Sequence, residues 1–236
     1  MTRPVVHVCW TDLDVYGLDM PHLRALLSAS ENERASRFRF EHDSRRYIAR
    51  HGLLRLLLAR ALHTTPTALR FTTNTYGKPA LVGNDLHFNM SHSHGLALFT
   101  WSHDVEVGCD IERQDSRIAG ESIPEQFFSV SERHALRRLP ASMQTEGFFN
   151  AWTRKEAYIK GHGEGLSLPL DSFDVSLGPD EEPALLRGCD GWSVQCLEPE
   201  PFYPAAIVAA APSWRMEIHP LHPAALLADT LHDVAA

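Results

Sequence analysis

Asp110 and Glu112 stand two residues apart in the run Gly108-Cys109-Asp110-Ile111-Glu112. On an extended strand such residues share a face, so the two carboxylates project together while Cys109 and Ile111 turn to the opposite, apolar side. Side-by-side acids repel unless a cation sits between them. An all-oxygen pair suits Mg2+ or Mn2+, which keep several waters and complete their shells on substrate phosphates. The same spacing also suits two solvated acids at a strand end. A second run, Trp152 to Lys160, sets Glu156 and Lys160 four residues apart on one helical face, with Trp152 a turn earlier. Were Glu156 brought near Asp110 and Glu112, a cation would gain a third carboxylate and Lys160 would bring charge to a neighbouring phosphate. Taken alone, the pair reads equally as a surface ion pair of small value. A third run, Phe88-Asn89-Met90-Ser91-His92-Ser93-His94, clusters hydrogen-bonding groups. No Cys or His cluster at zinc spacing accompanies it, so Ser91 and His92 read as phosphate or ligand contacts. Of the 14 histidines, those other than His92 and His94 read as structural or solvated.

The elements that must position these groups follow from periodicity and punctuation. A strand is expected over Val5–Trp10 and a helix over Met20–Ala29, with Asp19 as N-cap and Pro21 in its first turn. A long helix over His42–His63 follows from apolar residues at helical spacing. Pro66 opens a short helical turn, Arg70–Thr72 reads as a strand, and Asn74–Pro79 as a turn. Strands over Leu86–Met90 and Leu96–Trp101 are joined by a predicted turn at Ser91–Gly95, and Val105–Glu112 makes a further strand. Helical turns are expected around Glu121–Phe128. Ser129 and Glu132 have capping-box spacing for a helix reaching Leu139, and a longer helix over Met143–Lys160 stops at Gly161-His162-Gly163. Strands are expected around Phe173–Leu177, Trp192–Leu197, Tyr203–Ala210 and Met216–His219. The tail after Pro223 reads as a short helix or an unstructured end. The pattern is α+β, with neighbouring strands close enough for antiparallel pairing.

Composition narrows the function classes. The chain has 236 residues, 44% of them hydrophobic and 22% charged, with a formal charge of −8. This fits a folded soluble chain. No apolar run approaches the ~20 residues of a membrane span, and acids directly after the short apolar N-terminal stretch argue against a secretory leader. The four cysteines form neither a zinc pattern nor a disulfide framework, so a reducing cytoplasm is expected. The acidic total argues against nucleic acid, but the charge is uneven: +7 over residues 24–78 and −9 over residues 119–236. The basic stretch is sized for a small polyanion such as a nucleotide, or is a solvated helix face. Cation choice is skewed too, with 19 arginines against three lysines, Lys78, Lys155 and Lys160. Lysine retained in an Arg-rich chain points to places where a compact ammonium is needed.

Taken together, these runs resemble one family, the 4′-phosphopantetheinyl transferases of the Sfp-like (surfactin-synthetase-activating) type. Tyr76-Gly77-Lys78-Pro79, Phe88 to Ser93, Gly108 to Glu112, Trp152 to Lys160 and Gly165 to Phe173 stand in the family's order and spacing. The run Arg34, Arg37-Phe38, Asp43, Arg46-Tyr47, Arg50 and Leu53-Leu54-Arg55 resembles its N-terminal helix. The resemblance covers roughly residues 5 to 210. It implies a pseudo-dimer of two similar α+β halves, 1–115 binding coenzyme A and 116–236 completing the metal and carrier sites, with the active site in the cleft between them. It implies transfer of the phosphopantetheine arm of coenzyme A to a serine of an apo acyl or peptidyl carrier protein, releasing adenosine 3′,5′-bisphosphate. By the same resemblance Asp110, Glu112 and Glu156 hold Mg2+, with Mn2+ open, and Glu156 and Lys160 act in catalysis. Arg34, Arg46, Lys78, Ser91, His92 and Lys160 contact coenzyme A. A monomer without nucleic-acid or membrane partners is expected, as is an apolar carrier patch, since both enzyme and carrier would be acidic; Phe127 and Phe128 read as that patch or equally as core. A metal-dependent phosphohydrolase and a coenzyme A-binding scaffold remain as alternatives, and the pathway of the carrier stays open.

Overall fold

The computed structural model describes residues 2–119 and 122–227. Strand β1 (Val5–Asp12) leads to helices α1 (Met20–Leu26), α2 (Ala29–Ser36) and the long α3 (Glu41–Ala61). A hairpin of β2 (Phe71–Thr73) and β3 (Pro79–Leu81) precedes β4 (His87–Ser93), β5 (Leu96–Ser102) and β6 (Val107–Ile111). Helices α4 (Ser122–Phe127), α5 (Val130–Arg138) and α6 (Ala141–His162) come next. The remaining strands are β7 (Asp174–Val175), β8 (Leu185–Arg187), β9 (Ser193–Leu197), β10 (Ala205–Ala209) and β11 (Arg215–Ile218). The fold is α+β, as the periodicity predicts.

Two sheets lie face to face. One has the order β11-β1-β5-β4, the other β6-β10-β9. Period-two alternation explains the layering. On β1, Val6 and Val8 turn toward the second sheet while Cys9 turns toward α3; on β5, Leu96 and Leu98 divide from Ala97, Phe99 and Trp101 in the same way. The second sheet answers with Val107, Cys109 and Ile111 of β6 and with Ala205, Ile207 and Ala209 of β10. Its outer face carries Ala206 and Val208 against α6, with Phe148, Phe149, Tyr158 and Ile159. The layers therefore run α3, sheet, sheet, α6. Strands buried on both faces need no polar side: all five residues of β10 are buried, and they are all apolar.

Several expectations change. β4 continues to Ser93, paired with Leu96 of β5, so only His94 and Gly95 form the turn. One helix expected over Met20–Ala29 is two, because Ser28 stops α1 and starts α2: its side chain accepts from the Glu31 N–H while Glu31 caps the Ser28 N–H. Strands β3 and β8, too short for a periodic signal, were not anticipated from the sequence. Among the described residues pairing is antiparallel except that β1 and β11 run parallel, which joins the last described strand to the first. Residues 223–227 are helical; the end of the tail, 228–236, lies outside the described residues.

Candidate active site

β4 is an edge strand of the first sheet and β6 an edge strand of the second. Across their seam, side chains replace a backbone ladder. Asn89, Ser91 and Ser93 share one face of β4. Asn89 Oδ1 accepts the Cys109 N–H at 3.3 Å. Ser91 Oγ donates to Asp110 Oδ1 at 2.7 Å. Ser93 Oγ donates to Glu112 Oε2 at 2.8 Å and accepts the Arg113 N–H at 3.1 Å. The polar run read as a turn is thus a strand whose every second residue fixes β6 and its two acids.

Helix α6 covers the same acids from the other side. It approaches β6 so closely that a Cβ on Gly108 would lie 2.2 Å from Ala157 O and 2.3 Å from Gly161 N. At that approach Lys160 Nζ reaches Asp110 Oδ1 at 2.5 Å and donates to Ser91 Oγ at 3.0 Å. Asp110 is buried, and its Oδ2 has no hydrogen-bond partner among the described residues. Burial pushes the Glu112 carboxyl up to about 7, with further push from Asp110 and Glu156, against the pull of the Ser93 hydroxyl and Lys160. Burial and Asp110 raise Glu156 as well, against the pull of Lys160. Burial works against the Lys160 ammonium, but Asp110 outweighs it, so its pKa is raised and it stays charged. The three carboxylates face one cavity.

That cavity, about 450 Å3, is lined by Ser91, His92, Asp110, Glu112, Glu156 and Lys160, and on its far wall by Arg34, Tyr47, Arg50 and His51. A second cavity of about 580 Å3 continues from it past Arg34, Tyr47, His51, Met90 and Lys160 to Lys78. Together they have the size of a ligand cleft. The wall formed by α2 and α3 is cationic. Tyr47 is buried, with the Arg50 guanidinium 4.9 Å from its ring centre, Arg34 at 5.7 Å, and the His51 ring stacked at 3.9 Å. Arg50 is buried too; burial lowers it to about 10, which still leaves it charged. His51 Nδ1 must donate to the Tyr47 carbonyl at 3.0 Å, which leaves Nε2 free to accept; burial, then Arg50, lower its pKa to about 4. His92 sits at the mouth, open to solvent. Its partial enclosure and the cations Arg50, Lys160 and Arg46 lower its pKa, a direction consistent with a neutral imidazole.

Of the residues singled out from sequence, Arg34, Ser91, His92, Asp110, Glu112, Glu156 and Lys160 line this cavity. Lys78 lines only its continuation; its ammonium is turned to the carbonyl of Gly161 at 2.6 Å and to Glu106. Asn74 docks that turn on α6, donating to the Gly163 carbonyl at 2.7 Å while its Oδ1 accepts the Lys78 N–H. Arg46 lines neither cavity: its Nε and Nη2 form a fork with Asp14 at 2.9 and 2.5 Å. Arg50 and His51 were not assigned a role from sequence, although their spacing of three and four residues from Tyr47 puts all three on one stretch of α3.

The carrier patch and the third lysine find other uses. Phe128 is core, stacked on Phe148 at 5.5 Å, so it offers no carrier patch; Phe127 is half-buried, edge-on to Trp152. Lys155 is fully buried away from the cavity, with its ammonium 2.9 Å from Glu132 and donating to the carbonyls of Leu170 and Phe173 at 2.6 and 2.8 Å. It anchors the Gly165–Phe173 stretch rather than acting on a ligand.

The cleft thus draws on both halves of the chain, and comparison with known proteins shows the family of the chain. A family model described as the 4′-phosphopantetheinyl transferase superfamily matches residues 106–208, and one described as 4′-phosphopantetheinyl transferase, N-terminal, matches residues 18–101. The 4′-phosphopantetheinyl transferase HetI of Nostoc sp. is 35% identical over 89% of this chain and 90% of its own. The 4′-phosphopantetheinyl transferase Sfp of Bacillus subtilis is 33% identical over 82% and 87%, and psf-1 of Bacillus pumilus 34% over 81% and 82%. The chain belongs to the 4′-phosphopantetheinyl transferase superfamily. Within it the chain is of the Sfp-like type, an enzyme of the transferase class with a two-half α+β fold.

Proposed function

We propose that this chain transfers the 4′-phosphopantetheine arm of coenzyme A to a serine hydroxyl of an apo acyl or peptidyl carrier protein and releases adenosine 3′,5′-bisphosphate. The observation that carries the reading is the convergence of Asp110, Glu112, Glu156 and Lys160 on one cavity whose opposite wall holds Arg34, Arg50 and His51. The acids fit a hard divalent cation. The buried Asp110 Oδ2 lacks a partner among the described residues, and the raised Glu112 and Glu156 mark negative charge that their neighbours leave uncompensated. Asp110, Glu112 and Glu156 would hold Mg2+, or Mn2+ by the same oxygen chemistry. When bound, the ion would neutralise the diphosphate and fix its orientation.

The chain's own groups then divide the work. Arg34 and Arg50 suit the nucleotide phosphates, and Ser91 and neutral His92 suit hydrogen bonds to the coenzyme near the mouth. Lys78 lines the continuing cavity with its stem, in keeping with a packing contact. Serine Oγ of the carrier bonds to the pantetheine-side phosphorus, and the bond from that phosphorus to the bridging oxygen breaks. The serine proton passes to Glu156, directly or through one water, and the bridging oxygen leaves with its electron pair on the bisphosphate beside Lys160. Burial raises Glu156, which makes it a better proton acceptor than a solvated carboxylate. Positioning and charge stabilisation are most of what phosphoryl transfer asks.

No helix among the described residues is long and apolar enough to cross a membrane; a cytoplasmic monomer is the setting we propose. Incubation with coenzyme A and Mg2+, with and without an apo-carrier protein, tests the reading by mass spectrometry of the carrier. The carrier should gain one phosphopantetheine group. Breakdown of coenzyme A without a carrier would instead favour a phosphohydrolase, and an unchanged carrier and coenzyme would favour a binding scaffold.

A further inference from the structure

On the α3 side of the first sheet, remote in the layering from β6 and α6, three ligand-bearing side chains meet. His7 of β1 is the register partner of Glu217 on the parallel strand β11, and His219 follows Glu217 by two residues on the same face. The His219 N–H donates to Val8 O at 2.9 Å, which extends the parallel ladder and holds the backbone of His219 beside β1. His7 Nδ1 lies 2.9 Å from His219 Nε2 and 3.3 Å from Glu217 Oε2. One ligand atom from each of the three falls within 4.8 Å of the others. Metal–nitrogen bonds of ~2.0–2.1 Å at tetrahedral angles place donor atoms roughly 3.3 Å apart, so two of the spacings already approximate the edges of such a shell.

The surroundings orient these groups as outer partners of a metal site do. Arg215 holds the other oxygen of Glu217, Oε1, which leaves Oε2 toward His7. Trp101, the partner of His7 on β5, stacks on His7 at 5.3 Å and on His219 at 5.6 Å and fixes both ring planes. The site opens into a cavity of about 630 Å3 whose wall also carries His63, His103 and His222, so water or a further imidazole can complete a shell.

We propose that His7, Glu217 and His219 form a binding site for one divalent transition-metal cation of the zinc class, which clamps β1 to β11. Two imidazoles with one carboxylate suit Zn2+ and its late first-row neighbours and do not suit Mg2+, which prefers oxygen. The site shares no residue with the transferase cavity. Binding there would tie the first strand of the fold to the last described one, 212 residues away in sequence.

The untagged full chain, stripped with a chelator, is dialysed against Zn2+ in the presence of excess Mg2+ so that the all-oxygen site is occupied. One equivalent of Zn2+ should be retained. His219→Ala and Glu217→Gln, both at partly exposed positions, should each weaken retention at least tenfold with transferase activity unchanged. Co2+ in place of Zn2+ should give tetrahedral visible bands in the wild type that His219→Ala removes. Retention no greater than in a metal-free control, retention equal in wild type and both variants, or a purely octahedral Co2+ spectrum would each overturn the site.

Discussion

Gly108 of β6 and Gly161 of α6 touch backbone to backbone, and that contact sets the depth at which the helix lies on the strand. A Cβ on Gly108 would come within 2.6 Å of Gly161 Cα, and one on Gly161 within 2.9 Å of Val208 Cγ2. The pair lies beside the chemistry: Asp110 follows Gly108 by two residues and Lys160 precedes Gly161. Gly108→Ala must push strand and helix apart. It should cost about 1–3 kcal/mol of stability by overpacking and lower activity well beyond that loss, because the contact between Lys160 and Asp110 opens. Chemical denaturation and single-turnover kinetics check both. An alanine variant with wild-type turnover would detach the glycine pair from the site.

Lys155 and Glu132 form a fully buried ion pair that ties α5 and α6 to the Leu170–Phe173 turn. Glu132 also accepts the N–H groups of Ser129 and Val175. Lys155→Met leaves that carboxylate buried and uncompensated, which should cost about 3–5 kcal/mol. Adding Glu132→Gln removes the stranded charge and should recover part of the loss, since the two residues act as a unit. Denaturant midpoints of the single and double variants decide this; equal losses in both would show that burial of the charge is not the cause.

In the reaction we propose, Glu156 of α6 takes the proton of the incoming serine. Glu156→Gln keeps the side-chain size, and relief of the buried charge should leave the melting temperature unchanged or higher. Carrier modification should fall by roughly 10²–10⁴-fold, the scale of a lost general base. Loss of a cation ligand would act in the same direction. The two roles separate by Mg2+ titration: a lost ligand is partly recovered by higher Mg2+, a lost base is not. Normal turnover by the variant would remove Glu156 from the chemistry.

What was legible in the sequence was whatever repeats within one element. Period-two spacing put Asp110 and Glu112 on one face, and period 3.6 put Glu156 and Lys160 on another. What was not legible depends on pairs of elements. Ser91 and Ser93 read as a turn because a strand of Asn, Ser and His lacks an apolar face. The face exists, but it meets β6 through hydrogen bonds rather than apolar contact. Lys155 shares the lysine signal with Lys160 although only Lys160 faces the cavity; five helical positions put them about 140° apart around the axis, and sequence alone does not say which side is inward. Arg46 and Arg50 pose the same problem on α3. The first is claimed by Asp14, which arrives from the loop after β1, and only the second is left for the cavity.

Arg50 is buried beside Tyr47 and lines the cavity, and no carboxylate lies within salt-bridge distance of it among the described residues. A buried guanidinium in that state awaits an anion. Arg50→Ala should raise KM for coenzyme A by roughly 10–150-fold, the equivalent of about 1.5–3 kcal/mol for a hydrogen bond to a charged group, with little change in kcat. Arg50→Lys should restore only part, because an ammonium does not reproduce the planar fork. Arg46→Ala, by contrast, should leave KM nearly unchanged, since Arg46 is spent on Asp14. Steady-state kinetics over coenzyme concentration separates the two arginines, and an equal effect of both would refute the assignment.

Glu112 gives a pH dependence whose sign can be worked out. Burial and the neighbouring acids raise its folded pKa from the ordinary 4.5 to about 7. The fold therefore favours the protonated form. Its contribution to stability is full below the ordinary value and is lost as pH rises through about 7. Without divalent metal, Glu112→Gln should accordingly be more stable than the wild type at about pH 8 and indistinguishable from it near pH 4. The difference should be on the order of 1–2 kcal/mol after allowance for the part of the side chain that reaches solvent. A bound cation competes with that proton, so Mg2+ should stabilise the wild type more at about pH 8 than at about pH 6 and should do little for the variant. Melting temperatures across this range, with Mg2+ and with chelator, test both arms. A difference between wild type and variant that stays constant from about pH 5 to 8 would mean that the Glu112 charge is neutralised by Lys160 alone and that the carboxylate cluster does not call for a metal ion.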